Sequence, residues 1–254
     1  MTTLMDRPAT ISAEEWAVRR DLAACYRLVA LYGWDDLVAN HITATVPGEP
    51  GTFLINPYGL MFDEVTASNL IKIDSDGNAL SKSDCPVNQT GFVIHGAIHG
   101  AREDVACVIH LHTRNGVAMS MLEERVEPLN QTAMLIADRI GYHEYEGIAL
   151  DMAERETLLR DLGDNDIMFL RNHGTLVAGR SIADAFLRFY YLEWACDVQL
   201  RAKGGGRTVH PADPDAVARV SAHMSRERAE QQASGVVWPA LLRKLARENP
   251  GYDC

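Results

Sequence analysis

The run "DVACVIHLHTRN" at residues 104–115 constrains this chain more than any other stretch. An apolar segment of this length, rich in β-branched residues, reads as a strand, and strand side chains alternate between faces with a period of two. Val108, His110 and His112 then share one face. Cys107, Ile109 and Leu111 share the other, which can pack on a helix. Two imidazoles in alternate positions lie about 7 Å apart at Cα, and at a strand end they can converge on one ion. Alone, such a pair is more often two surface or hydrogen-bonded histidines. A third candidate changes the balance. The stretch "FLRNHGTLVAG" puts His173 in a tight turn closed by Gly174, between two apolar runs. Alone, it reads as a turn histidine bonded to backbone. Together, three neutral imidazoles with an open fourth position suit a catalytic divalent ion.

The remaining pattern supplies an α/β frame. "SAEEWAVRRDLAACYRLVALYGW" opens with Ser12 as N-cap and Glu15 three residues on, the spacing of a capping box, and carries Trp16, Leu22, Cys25, Leu28 and Val29 at helical intervals. "HITATVPG" and "GTFLINPYG" read as short strands bounded by turn residues. "EVTASNLIKIDSDGNAL" suggests a helical turn, a strand and an Asp-Gly turn. "NQTGFVIHGAIHGAR" reads as a helix, and "TRNGVAMSML" and "NQTAMLIADRIG" as shorter ones. "ERETLLRDLG" is a helix ended by glycine. "DIMFLRNHGTLVAG" is a strand, a turn and a strand, and "SIADAFLRFYYLEWACDVQLRAKGGG" is a long helix. These elements predict one α/β domain over residues 1–254, with a mixed sheet covered on both faces. A helical extension follows from about residue 211.

Composition excludes several classes of partner. A formal net charge of −11, with no basic stripe, argues against nucleic acid, which demands clustered Lys and Arg. No apolar run approaches the roughly 20 residues of a membrane helix, and the opening "MTTLMDRPATISAEEW" lacks a basic region followed by an apolar one, so no secretory signal is expected. Five scattered cysteines without a C-x-x-C spacing read as reduced thiols in the cytoplasm.

Over roughly residues 14–240 the chain resembles the class II aldolase/adducin family, and within it the bacterial adducin-like members. The resemblance rests on "NHITATVPG", "FLINPYGLMFDEVTASNLIKID", "VNQTGFVIHGAIHGAREDVACVIHLHT" and "LRNHGTLVAGRSIADAF", in that order. It implies a three-layer α/β/α fold around a central mixed, largely antiparallel sheet, and a homotetramer. It also implies a divalent ion on His110, His112 and His173: zinc first, with iron(II), manganese or magnesium as alternatives. The chain departs from the family's aldolases at the Ser-Ser-Glu triplet that precedes a helix histidine. That histidine falls on His95, the serines on Gln89 and Thr90, and the proton-transferring glutamate on Gly91. The Thr-x-Ser-Gly phosphate loop becomes "NPYG", with Asn56 for the threonine and Tyr58 for the serine. A sugar phosphate is therefore not expected.

His95 and His99 lie one helical turn apart, so either can look into the site. "GYHEYEGIALD" aligns with the family loop that carries a tyrosine to the metal. Tyr145 is the preferred acid or base there, with His143 beside it and Tyr142 and Glu144 also able. Asn40, His41, Asn56, Tyr58 and Gln89 are the candidate substrate-binding residues. Arg114 and Asn115 follow the ligand strand and can meet a carboxylate or cap the next helix. Tyr252 is a candidate for completing a neighbouring subunit's site. The expected activity is a metal-dependent lyase cleaving or decarboxylating a small non-phosphorylated carboxylate through a metal-stabilised enolate. The alternatives are an iron(II)-dependent oxygenase and a non-catalytic adducin-like assembly module.

Overall fold

A computed structural model describes residues 8–147 and 154–254, apart from the side chains of residues 89, 90, 92, 93 and 154. Helix α1 (Ala13–Leu31) begins where Ser12 accepts a hydrogen bond from the Glu15 amide at 3.0 Å. The capping box predicted there forms only by half. The Glu15 carboxylate turns instead to Arg19 (2.8 Å) and Lys72 (2.7 Å), because a buried carboxylate gains more from two cations than from one amide.

Strands β1 (His41–Thr45), β2 (Thr52–Ile55) and β3 (Ile71–Asp74) follow, then α2 (Gln89–Ala101), β4 (Cys107–Leu111), α3 (Arg114–Ser120) and α4 (Gln131–Met134). Next come β5 (Ile140–His143), α5 (Glu154–Leu162), β6 (Ile167–Leu170), β7 (Gly174–Gly179) and the long α6 (Ile182–Lys203). Helices α7 (Pro214–His223), α8 (Arg226–Gln232) and α9 (Trp238–Glu248) close the chain. Among the described residues, seven strands form one sheet in the order β3-β2-β1-β4-β7-β6-β5. Every neighbouring pair is antiparallel except β5 with β6, so the sheet is mixed and largely antiparallel as expected.

The strand register divides the layers. Cys107, Ile109 and Leu111 join α1 and α6 in the larger core, while Val108, Leu176 and Met168 pack with Ile94 and Ile98 of α2 and Leu158 of α5. Both faces are therefore covered. Strand β5 was not legible in the sequence. It is a four-residue edge strand of alternating Ile140, Gly141, Tyr142 and His143, and a parallel edge partner needs no apolar run of its own. The apolar side of the C-terminal helix covers this chain's own core. Trp238, Leu245 and Tyr252 are buried in it, and the Tyr252 carbonyl accepts from the Ala67 amide at 2.8 Å. Tyr252 is thus held inside its own chain instead of reaching toward a neighbour.

Tyr26 of α1 fixes the start of β1. Its fully buried hydroxyl accepts from the amides of Ile42 (2.8 Å) and Asn56 (3.1 Å). Its one proton serves the Ile42 carbonyl or Asn56 Oδ1. This single phenol joins α1, β1 and the end of β2 next to His41. Replacing Tyr26 with Phe strands two amides in a dry interior. The expected loss is about 2–4 kcal/mol, read from urea unfolding midpoints. A loss below about 0.5 kcal/mol, the range of an ordinary surface change, would show that the hydroxyl is not the tie.

Candidate metal centre

The C-terminal end of β4 and the N-terminal ends of β1 and β7 lie at one edge of the sheet, because β4 runs antiparallel to both. His110 faces the α2 layer from β4, opposite His41 of β1. His112 follows one residue past the strand end. His173 sits in the turn between β6 and β7. There Asn172 takes a left-handed backbone, φ 58°, which asparagine tolerates better than most residues. Gly174 then passes so close to β4 that a Cβ would meet the Leu111 carbonyl oxygen at 2.7 Å and His112 Cδ2 at 3.0 Å. Each letter of "NHG" therefore has its own physical task.

The three rings converge through their Nε2 atoms. His112 Nε2 lies 3.1 Å from His110 Nε2 and 3.0 Å from His173 Nε2. The opposite nitrogens decide where the protons are. His110 Nδ1 donates to the Thr175 carbonyl at 3.0 Å, and His112 Nδ1 donates to the Asp36 carboxylate at 3.1 Å. Both partners only accept, so in the neutral rings both Nε2 atoms are bare. Two lone pairs then face each other across 3.1 Å with no proton between them, a repulsive arrangement that a shared cation relieves. Burial pulls His110 well below the ordinary histidine range and His173 down to about 4, with neighbouring His112 adding to each. Imidazole nitrogens with their far sides held by a carbonyl and a carboxylate match the pattern of metal-ligating histidines. Among the described residues, His110, His112 and His173 are the group whose donor atoms lie close enough to hold a metal ion, within 4.8 Å of one another.

The surroundings hold this geometry. Asn40 Oδ1 accepts from the Asp36 amide at 2.8 Å, and Leu37 bends the same loop through a left-handed backbone, φ 48°, so that Asp36 reaches His112. Asn40 Nδ2 is buried with no hydrogen-bond acceptor among the described residues. Just past His112, Thr113 and Asn115 donate to the buried Glu193 carboxylate of α6 at 2.5 and 2.7 Å. Burial raises Glu193 above the usual carboxylate range.

A second row of imidazoles backs the first. The His41 ring stands 5.1 Å from the His110 ring, and its Nδ1 lies 2.9 Å from His95 Nε2. Thr43 Oγ1 bridges His95 Nδ1 and His99 Nε2, each at 2.8 Å, and His99 Nδ1 lies 3.3 Å from the Val105 carbonyl. Burial depresses all three, His41 to about 3 and His99 to about 4. Gly91 makes room for the row: a Cβ there would come within 2.9 Å of His41 Cγ.

The other candidates are placed differently. The Tyr145 ring is more than half exposed and stands 6.5 Å from the His173 ring. Buried His143 shares a hydrogen with the Asp161 carboxylate of α5 at 2.8 Å. Tyr142 stacks on Phe169, and its hydroxyl accepts from the Val126 amide. No hydrogen bond or ring contact among the described residues joins Asn56 or Tyr58 to the imidazoles, and Asn56 is engaged with Tyr26. The Gln89 side chain lies outside the described residues. Sequence reasoning missed Asp36 and Thr43. Thr43 alternates with His41 along β1 and so shares its face, a signal that was available. Asp36 reaches His112 from a loop, where no periodicity points to it.

Comparison with known proteins bears on this geometry. The family model described as the class II aldolase and adducin N-terminal domain matches residues 20–200. A Pseudomonas aeruginosa protein named after the class 2 aldolases is 48% identical across 97% of this chain and 96% of its own length. Mouse alpha-adducin is 36% identical across 94% of this chain but only 34% of its own length. An L-fuculose 1-phosphate aldolase from Glaciozyma antarctica superposes with a TM-score of 0.83 at 29% identity, over 97% of this chain and 96% of its own.

Two measurements test the centre. Alanine at His110, His112 or His173 is expected to abolish stoichiometric zinc binding in titration calorimetry, and Asp36→Ala to weaken it about 10–100-fold. Binding unchanged in the three histidine variants would place any ion elsewhere. The second concerns acid. With His95 and His99 held neutral in the fold, only the unfolded chain binds protons on them between its ordinary pKa of about 6.5 and the lower folded values. Stability therefore falls as pH falls through that window, by up to about 1.4 kcal/mol per pH unit for each ring, and these rings impose no slope above it. Melting temperatures of metal-stripped protein from pH 7 to pH 5 should show the decline, and His99→Gln should make it shallower by one ring's share.

Proposed function

The chain belongs to the class II aldolase and adducin family, and on that premise we propose that it is a metal-dependent carbon–carbon lyase acting on a small, non-phosphorylated carboxylate. The observation that carries the reading is the convergence of the His110, His112 and His173 Nε2 atoms. A divalent ion held there would supply a Lewis acid for negative charge developing on a substrate oxygen. The proposed ion is zinc, with iron(II), manganese or magnesium as alternatives. The proposed setting is a cytoplasmic homotetramer, which suits five free cysteines.

The residues beside the triad favour decarboxylation over aldol cleavage. An aldol cleavage must first remove a hydroxyl proton, and position 91, where the family's aldolases resemble this chain but carry a glutamate, is glycine. Decarboxylation breaks the carbon–carbon bond without that step. It then needs one proton delivered to carbon, and Tyr145, beside His173, is the better placed donor. His143 is engaged with Asp161. The Glaciozyma relative is named for a sugar phosphate. By the resemblance, Asn56 and Tyr58 fall where the family's phosphate loop has its hydroxyls. Asn56 is turned to Tyr26, which leaves fewer donors for a phosphate.

A second reading, a non-catalytic assembly module, is favoured by the likeness to alpha-adducin across 94% of this chain. Turnover with added zinc, manganese or iron(II) on β-keto, hydroxy and aromatic carboxylates, measured without oxygen and again in air, separates them. Release of carbon dioxide or an aldehyde, lost on chelation and in His112→Ala, is the expected result. Turnover only with iron and oxygen uptake would move the protein to oxygenase chemistry, and no turnover with any pair would favour the assembly reading.

A further inference from the structure

The second row of imidazoles is not needed to hold an ion, yet its hydrogen bonds run in one direction. A carbonyl can only accept, so His99 Nδ1, 3.3 Å from the Val105 oxygen, carries the hydrogen. The His99 ring is neutral at pH 7, since burial holds it to about 4, and its Nε2 is therefore bare. Thr43 has one hydroxyl hydrogen and must give it to that Nε2 at 2.8 Å. The Thr43 oxygen then accepts from His95 Nδ1, also at 2.8 Å. His95, fully buried and neutral, is left with a bare Nε2, and His41 Nδ1 donates to it at 2.9 Å. His41 ends the chain with its own Nε2 bare and without a hydrogen-bond partner among the described residues. Each assignment follows from the donor and acceptor inventory of the groups.

We propose that the Val105 carbonyl, acting through His99, Thr43 and His95, locks His41 in the Nδ1–H form, so that His41 Nε2 is the hydrogen-bond acceptor offered to a substrate hydroxyl or a water beside the triad. His95, Thr43 and His99 are positioning residues; His41 is the residue that meets the ligand. Two further observations support the assignment. His41 stands opposite His110 in the strand pairing, with rings 5.1 Å apart. Its ring also fills the space a side chain at position 91 would enter, 2.9 Å from an added Cβ, so a glycine at 91 and an imidazole at 41 go together. The row ends at a carbonyl, which releases no proton, and so it orients His41 without conducting protons through the protein. A row of coupled hydrogen bonds in a dry interior is well suited to that, because reversing one bond reverses all of them.

The role of His41 rests on the lyase reading of the site; its tautomer does not. The test therefore has two arms. In the first, nitrogen-15 spectra of the histidine side chains are recorded on metal-free protein at pH 7.5. The expected pattern is a protonated Nδ1 and bare Nε2 for His41, His95 and His99 alike. Thr43→Val is expected to mix the forms of His95 and His41 while leaving those of His110 and His112 unchanged, and Thr43→Ser, which keeps the hydroxyl, to restore the pattern. A protonated His41 Nε2 in the native protein, or an unaltered His41 in Thr43→Val, overturns the lock. In the second arm, zinc-loaded His41→Phe is expected to lose about 100-fold or more in kcat and Thr43→Val about 10-fold, both with zinc affinity retained and with Thr43→Ser near native. Undiminished turnover in His41→Phe would overturn the role of His41. Absence of turnover in the native protein would overturn the lyase reading while the spectra still decide the lock. Should Thr43→Val fail to fold, His99→Phe, which removes the bond to the Val105 carbonyl, is read in the same way.

Discussion

One imidazole nitrogen, His112 Nε2, held about 3 Å from the Nε2 atoms of both His110 and His173, is the constraint on which the rest of the site depends. Like lone pairs do not approach that closely unless the backbone forces them or a cation joins them. Here the forcing is distributed over three elements: the end of β4, the β6–β7 turn and the loop ahead of β1. Gly174 lets the turn pass within contact of Leu111 and His112. Asp36, held by Asn40, turns His112, and the Thr175 carbonyl turns His110. Each part prepares a coordination sphere by holding the far side of a ring, which is how ligand orientation is ordinarily set.

The same logic continues inward. Tyr26 pins the backbone of Ile42 to α1, which sets His41 at the edge of the triad, and Gly91 leaves the volume that His41 fills. A glycine that looks like a lost catalytic group in the sequence is, in the structure, one half of a fitted pair. The sequence alone gives no reason for a glycine at 91; the packing does, by setting the His41 ring against it.

Much of this was readable from residue types and spacing. The alternation of His110 with Val108, the tight turn at "NHG" and the helix around His95 and His99 all survive in the fold, because each follows from a local period or from a turn that admits few residues. The α/β/α layering followed from covered strands between amphipathic helices. What escaped depends on long-range placement. Strand β5 has no apolar run because it lies at an edge. Glu15 left its capping role because Lys72, distant in sequence, sits beside it. Asn56 and His143 carry chemically able side chains whose partners, Tyr26 and Asp161, come from other elements. A side chain's ability to react is a property of its type, whereas its availability is set by what else claims its polar atoms.

The distinction bears on the choice between an enzyme and an assembly module. An ion on three histidines could serve either, since it would staple β4, the β6–β7 turn and the loop before β1 whatever chemistry followed. A staple does not require His41, His95, Thr43 and His99 behind it. Four polar side chains buried together lose their hydration, and recover it only by satisfying one another. Apolar residues would fill the same space between β1 and α2 at less cost, as Ile94 and Ile98 do elsewhere on that helix. A buried row with the direction proposed for it, ending at His41 beside His110, adds nothing to a structural clamp but suits a centre that must receive a hydrogen at one defined atom. The interior of the α2 layer therefore adds to the argument that the triad begins.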